Sequence, residues 1–125
     1  MDSYDPFRAP EPAEWLTLDE SERIELVERY HLESGSEVGD APASVHAAIH
    51  VAVENQIAMG EEGVPEALAR LMRQGLTRHE AVHAIGSVLA EEMFEIVQRK
   101  VEHDPERYRR RVGKLSAKRW RKGKW

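Results

Sequence analysis

His46 and His50 stand four residues apart, and so do His79 and His83, giving two H-x3-H patterns in a chain with six histidines and no cysteine. On a helix, positions i and i+4 lie only about 40° apart around the axis, so each pair projects from one face. Two imidazoles at that spacing can chelate an ion. Two such pairs on packed helices supply four nitrogens, a set that suits tetrahedral zinc. Glu54 lies one turn beyond His50, and its carboxylate could replace or join a histidine, which would suit iron or manganese better. With thiolates absent, zinc or iron must be held by His, Asp or Glu.

The segment H79-E-A-V-H83 also spells H-E-x-x-H, in which two histidines bind zinc and Glu80 would serve as general base. Three features weigh against a zincin. The motif lies at the very start of its helix, where Glu80 is already the capping-box partner of Thr77. No strand pattern precedes it to hold an extended peptide, and no downstream motif offers a third ligand. Read as E80-x-x-H83, the same residues form the Glu-x-x-His unit of di-iron bundles, but the other helix offers H-x3-H-x3-E, which disfavours a carboxylate-bridged pair. His31 and His103 fall near helix C-termini, where the helix dipole favours a cation, and are read as structural.

The elements that must position these residues are all helices. Pro6, Pro10 and Pro12 make residues 1–16 an irregular arm that Trp15 and Leu16 tuck onto the body. T17-L-D-E20 spells a capping box for a first helix to about Glu33. Asp40 or Ser44 opens a second helix ending at Gly60, Pro65 lies in the first turn of a short third helix ending at Gly75, and Thr77 starts a fourth reaching about Glu102. On the second helix the histidines lie toward the face of Ile49, Val53 and Ile57. On the fourth they lie beside Val82, Gly86, Leu89 and Met93. Gly86 lowers helix propensity by roughly 1 kcal/mol, so a close helix approach should compensate for it. The chain therefore reads as all-α: a bundle of about four helices over 17–103, with a basic tail over 104–125 that is helical to about Trp120 and interrupted by Gly113.

The net charge of −5 conceals a polarity. Residues 1–103 carry 8 Lys/Arg against 21 Asp/Glu, and residues 104–125 carry 10 against 2. Within the tail, Arg109, Arg110, Arg111, Lys118, Arg119, Arg121 and Lys122 could neutralise phosphates while Trp120 stacks on bases. The same charges could bind an acidic protein surface or the chain's own acidic body. No apolar run approaches the roughly 20 residues of a membrane span, and the acidic, proline-bearing start is unlike a signal peptide, so a cytoplasmic protein without membrane insertion is expected.

The stretch H46-AAI-HVAVENQIA and the later GLTRHEAVHAIGSVLAEEMFEIV resemble a bacterial family, the domain of unknown function DUF1841, in the paired histidines, the Glu54-Asn55-Gln56 segment and the second H-x3-H pair. The resemblance implies a small helical protein with a histidine-based site. The residues point first to a metal-binding (zinc or iron) helical bundle of regulatory or accessory type, held by His46, His50, His79 and His83 with Glu54 as ligand or support. The alternatives are a metal-dependent hydrolase or oxidoreductase with Glu80 or Glu54 as base, and a nucleic-acid-associated protein acting through the tail. The two histidine pairs could also come from different subunits of a homodimer.

Overall fold

A computed structural model of the chain describes residues 1–34 and 43–125. Those residues form seven helices and no strand: α1 (Pro12–Thr17), α2 (Glu20–Ser34), α3 (Ala43–Ala58), α4 (Val64–Arg73), α5 (Arg78–Gln98), α6 (Pro105–Lys114) and α7 (Ala117–Arg121). The all-helical reading holds. The count of about four corresponds to α2–α5, and the structure adds one helix before them and two after.

Local chemistry sets most boundaries. Thr77 caps α5, its hydroxyl accepting from the Glu80 N–H while the Glu80 carboxylate accepts from the Thr77 N–H. Gly60 and Gly75 turn the chain after α3 and α4 with φ of 67° and 105°, a left-handed region that glycine enters without strain. Four expectations need correction, the first being the T17-L-D-E20 capping box, since Thr17 ends α1 with its hydroxyl donating to the Glu14 carbonyl and α2 opens at Glu20. The arm is not wholly irregular, since Pro12 opens α1 at a position where its missing N–H goes unused. Helix α5 ends at Gln98 rather than near Glu102, and Pro105 opens α6 under an Asp104 cap instead of merely ending α5. Gly113 lies inside α6 on an exposed face, and the break comes at Leu115 and Ser116. The Asp40 start for the second helix lies outside the described residues.

Helix α3 is the hub, packing against α1, α2, α4 and α5. Ala47 and Val51 face a cluster with Tyr4, Trp15, Leu26 and Val27, while Val53 joins a larger one with Leu71, Ile85, Val88 and Val112. The segment 104–125 is part of that larger core through Tyr108, Val112, Leu115 and Ala117. Its charges also turn inward: Arg107 and Arg111 both pair with the buried Glu92, and Arg111 reaches Glu95 at 3.0 Å. From α4, Arg70 donates to the carbonyls of Val112 and Leu115.

His46 approaches His83 and His50 approaches His79, so α3 and α5 run antiparallel. Gly86 lets them close: a Cβ there would meet Ile49 Cγ2 at 3.2 Å and Val53 Cγ2 at 3.9 Å. Gly86→Val is therefore expected to destabilise the fold by about 1–3 kcal/mol through overpacking, measured by urea unfolding. A stabilised variant would show that the helix approach is not tight there.

Candidate metal centre

Five histidines from three helices meet between α2, α3 and α5. His31, His50, His79 and His83 each offer a ring nitrogen, and these four atoms all lie within 4.8 Å of one another. His46 joins at the edge, its ring centroid 4.9 Å from those of both His31 and His83. The Nε2 atoms of His31, His46, His79 and His83 and the Nδ1 of His50 are buried with no hydrogen-bond partner among the described residues.

For two of these rings the opposite nitrogen explains the orientation. His31 Nδ1 lies 2.8 Å from the Val27 carbonyl, which can only accept. Nδ1 therefore carries a proton, and the tautomer with that single proton presents a bare lone pair at Nε2. His50 Nε2 lies 2.7 Å from the Tyr4 hydroxyl, and Tyr4 donates its own proton to Glu54. The Tyr4 oxygen then accepts from His50 Nε2, which leaves His50 Nδ1 bare. Burial first, and then the charge and hydrogen bond of Glu54, raise the Tyr4 phenol well above its ordinary value, so it stays a donor.

Glu54 is held in turn by Arg78, whose two terminal nitrogens each approach one carboxylate oxygen at 2.8 Å. The same guanidinium donates to the Pro6 carbonyl. A chain of contacts thus runs from Arg78 through Glu54 and Tyr4 to His50. The N-terminal arm supplies Tyr4 and Pro6, and it is anchored by Trp15, which is fully buried and donates to Asn55 Oδ1 at 2.9 Å.

Burial, the largest cause, and the neighbouring imidazoles hold His46, His50, His79 and His83 neutral. His79 is lowered to about 4 and His83 to about 3, His50 goes well below its ordinary value, and His46 is lowered too. Neutral imidazoles with inward lone pairs are what a transition metal needs, because a protonated ring cannot bind it.

The structure brings His46, His50, His79 and His83 together and adds His31, whose place near the end of α2 suggests only a helix-dipole role. Glu54 turns its carboxylate to Arg78 and Tyr4, and Glu80 to its capping box. His103 lines a separate cavity beside Tyr108. Among the basic residues of the C-terminal segment, Arg111 is engaged by Glu92 and Glu95, Arg109 by Glu62 and Glu106, and Arg121 by the Gly75 carbonyl. Trp120 donates to Ser87, whereas Arg110, Lys118, Arg119 and Lys122 are exposed.

Tyr4, His31 and Arg78 were the functional positions missed. His31 falls seven after Ile24 and four after Val27, so the buried stripe of α2 carried a signal. Arg78 likewise precedes Val82 by four and Ile85 by seven. Tyr4 had no local signal. No curated protein and no solved structure matches the chain. A family model does match over residues 10–114, which takes in all five clustered histidines, and the chain belongs to that family, described as Domain of unknown function (DUF1841).

Proposed function

We propose that this is a metal-binding helical protein of accessory or regulatory type, in which His31, His50, His79 and His83 hold a zinc or iron(II) ion and His46 stands by as a fifth donor. The observation that carries the reading is the convergence of bare, buried ring nitrogens from three helices. A buried polar atom left unmet costs about 1–3 kcal/mol. Five of them would consume a large part of the roughly 5–15 kcal/mol by which a domain is stable. One ion satisfies four at once. Zinc–nitrogen bonds of about 2.0–2.1 Å place tetrahedral ligand atoms roughly 3.4 Å apart, so the cluster needs to draw in by about 1 Å, a side-chain adjustment.

The direct test is elemental analysis by mass spectrometry on tag-free protein beside a His50→Ala/His83→Ala double variant. About one equivalent of zinc or iron, lost in the variant, is expected. Protein that takes up neither ion on reconstitution sinks the proposal.

The outer contacts give a second prediction. A hydrogen bond to a ligand's far nitrogen fixes its tautomer and raises its basicity, and its loss typically weakens binding about 10–100-fold. Tyr4→Phe keeps the ring against Trp15 but removes the acceptor for His50. A weakening of that order is expected in competition with a chelator. Unchanged affinity would mean that His50 is oriented by packing alone.

A further inference from the structure

A cavity of about 560 Å³ opens beside the histidine cluster. His46, His50 and His83 line it, and the rest of its wall is almost entirely apolar, built from residues such as Ile49, Val82, Phe94 and Val97. Gly86 and Ala90 add no bulky side chain to its wall. Phe94 is 55% exposed and Val97 68%, which leaves hydrocarbon open to solvent on the side away from the imidazoles. Two further polar groups of the lining are already matched: Trp120 donates to Ser87 Oγ, and Ser87 Oγ donates to the His83 carbonyl. Gln98 at the rim is exposed to solvent, so the buried polar atoms of the wall without a partner are the histidine nitrogens, the His50 ring being only 2% exposed.

The charge balance of the cluster selects a ligand. An imidazole brings no charge of its own to a metal, the Glu54 carboxylate is paired with Arg78 at 2.8 Å, and Glu80, whose charge reaches His79, sets one negative charge against two. A divalent ion held there keeps net positive charge in a mostly buried place, where an uncompensated charge is costly. An anion arriving through the cavity would offset it. We propose that the cavity takes a small apolar carboxylate, alkyl or aryl, with its head group toward the ion and its hydrocarbon body against Ile49, Val82, Phe94 and Val97. The inference rests on the metal-binding reading. The volume lies within the roughly 300–1,000 Å³ of small-molecule sites, which are mostly apolar with a few convergent polar groups.

The test titrates acetate, butanoate and octanoate into zinc-loaded protein by calorimetry. Each fully buried methylene strengthens binding by up to about fourfold, so octanoate should bind at one equivalent and at least about tenfold tighter than butanoate. Ala90→Trp, at an exposed helix position that lines the cavity, should weaken octanoate about tenfold or more and leave the zinc stoichiometry intact. Val97→Glu, which places a negative charge at the mouth, should weaken it as well and stands in if the first variant folds poorly. Zinc bound normally, with octanoate no tighter than acetate or indifferent to both variants, overturns this inference and leaves the metal site standing. Equal octanoate affinity without zinc overturns the head-group contact. A dimer that Val97→Glu dissociates, with octanoate binding gained, assigns the cavity to a second copy of the chain and overturns it too. Failure to bind zinc or iron removes the metal reading and this inference with it.

Discussion

Arg78→Ala is expected to lower stability by about 3–5 kcal/mol, the range for breaking a buried ion pair by removing one partner. The side chains of Arg78 and Glu54 are 5% and 0% exposed. The pair is two-pronged, and Arg78 also holds the Pro6 carbonyl of the arm. Alanine would leave the Glu54 carboxylate sealed in the core with Tyr4 as its remaining partner. Against a total of roughly 5–15 kcal/mol for a domain, that loss brings the chain close to unfolding. Urea denaturation would show it as a midpoint shift of about 1 M or more, given slopes of roughly 1–3 kcal/mol per molar. Removing both charges, as in Glu54→Gln/Arg78→Met, should destabilise less than Arg78→Ala alone, because no unpaired carboxylate remains. A loss under about 1 kcal/mol for Arg78→Ala would mean that water reaches Glu54 and the network is not sealed.

That network also marks where reading the sequence stops. Features with a local cause were accessible: the Thr77–Glu80 capping box, the turns at Gly60 and Gly75, and the two histidine pairs, whose spacing alone placed them on common faces. His31 and Arg78 were within reach, because each lies on the apolar stripe of its helix with a buried residue four positions away. A polar residue on such a stripe must be buried with a partner. The net charge of the last 22 residues hid a different stripe, since Tyr108, Val112 and Leu115 recur at i, i+4 and i+7 and enter the main core. Tyr4 was out of reach. It meets His50 across 46 positions of sequence, and no periodicity in a proline-bearing arm specifies a contact of that range. The site is thus built from helix faces that the sequence encodes locally and completed by an arm whose place only the tertiary packing decides.

The metal-free protein is expected to lose stability as pH falls below about 6.5, and zinc in excess to raise its melting temperature at pH 7 by about 10–20 °C. The first effect follows from the histidines. Burial and mutual repulsion hold His79 at about 4 and His83 at about 3, with His50 and His46 also lowered, whereas in the unfolded chain each titrates near its ordinary value of about 6.5. His79 feels Glu80 in the opposite sense, but burial and the charges of His31, His46 and Arg78 outweigh it. Between about 6.5 and 3 the unfolded chain binds protons that the folded chain excludes, so acid favours unfolding throughout that window. The ceiling is about 1.4 kcal/mol per pH unit for each excluded proton, reduced where His46, His79 and His83 are partly exposed. The second effect is mass action. A ligand at about a thousand times its dissociation constant adds roughly 4 kcal/mol, and each kcal/mol moves the midpoint of a chain this size by a few degrees. The two effects separate by pH. Because His79 and His83 stay neutral well below pH 6 and His50 is lowered with them, the zinc increment should persist to about pH 5 while the metal-free baseline is already falling. Thermal melts at pH 7, 6 and 5, with and without zinc, measure both at once. An increment that disappears by pH 6 would mean that the imidazoles titrate as they do in water, and that the cluster is open rather than sealed.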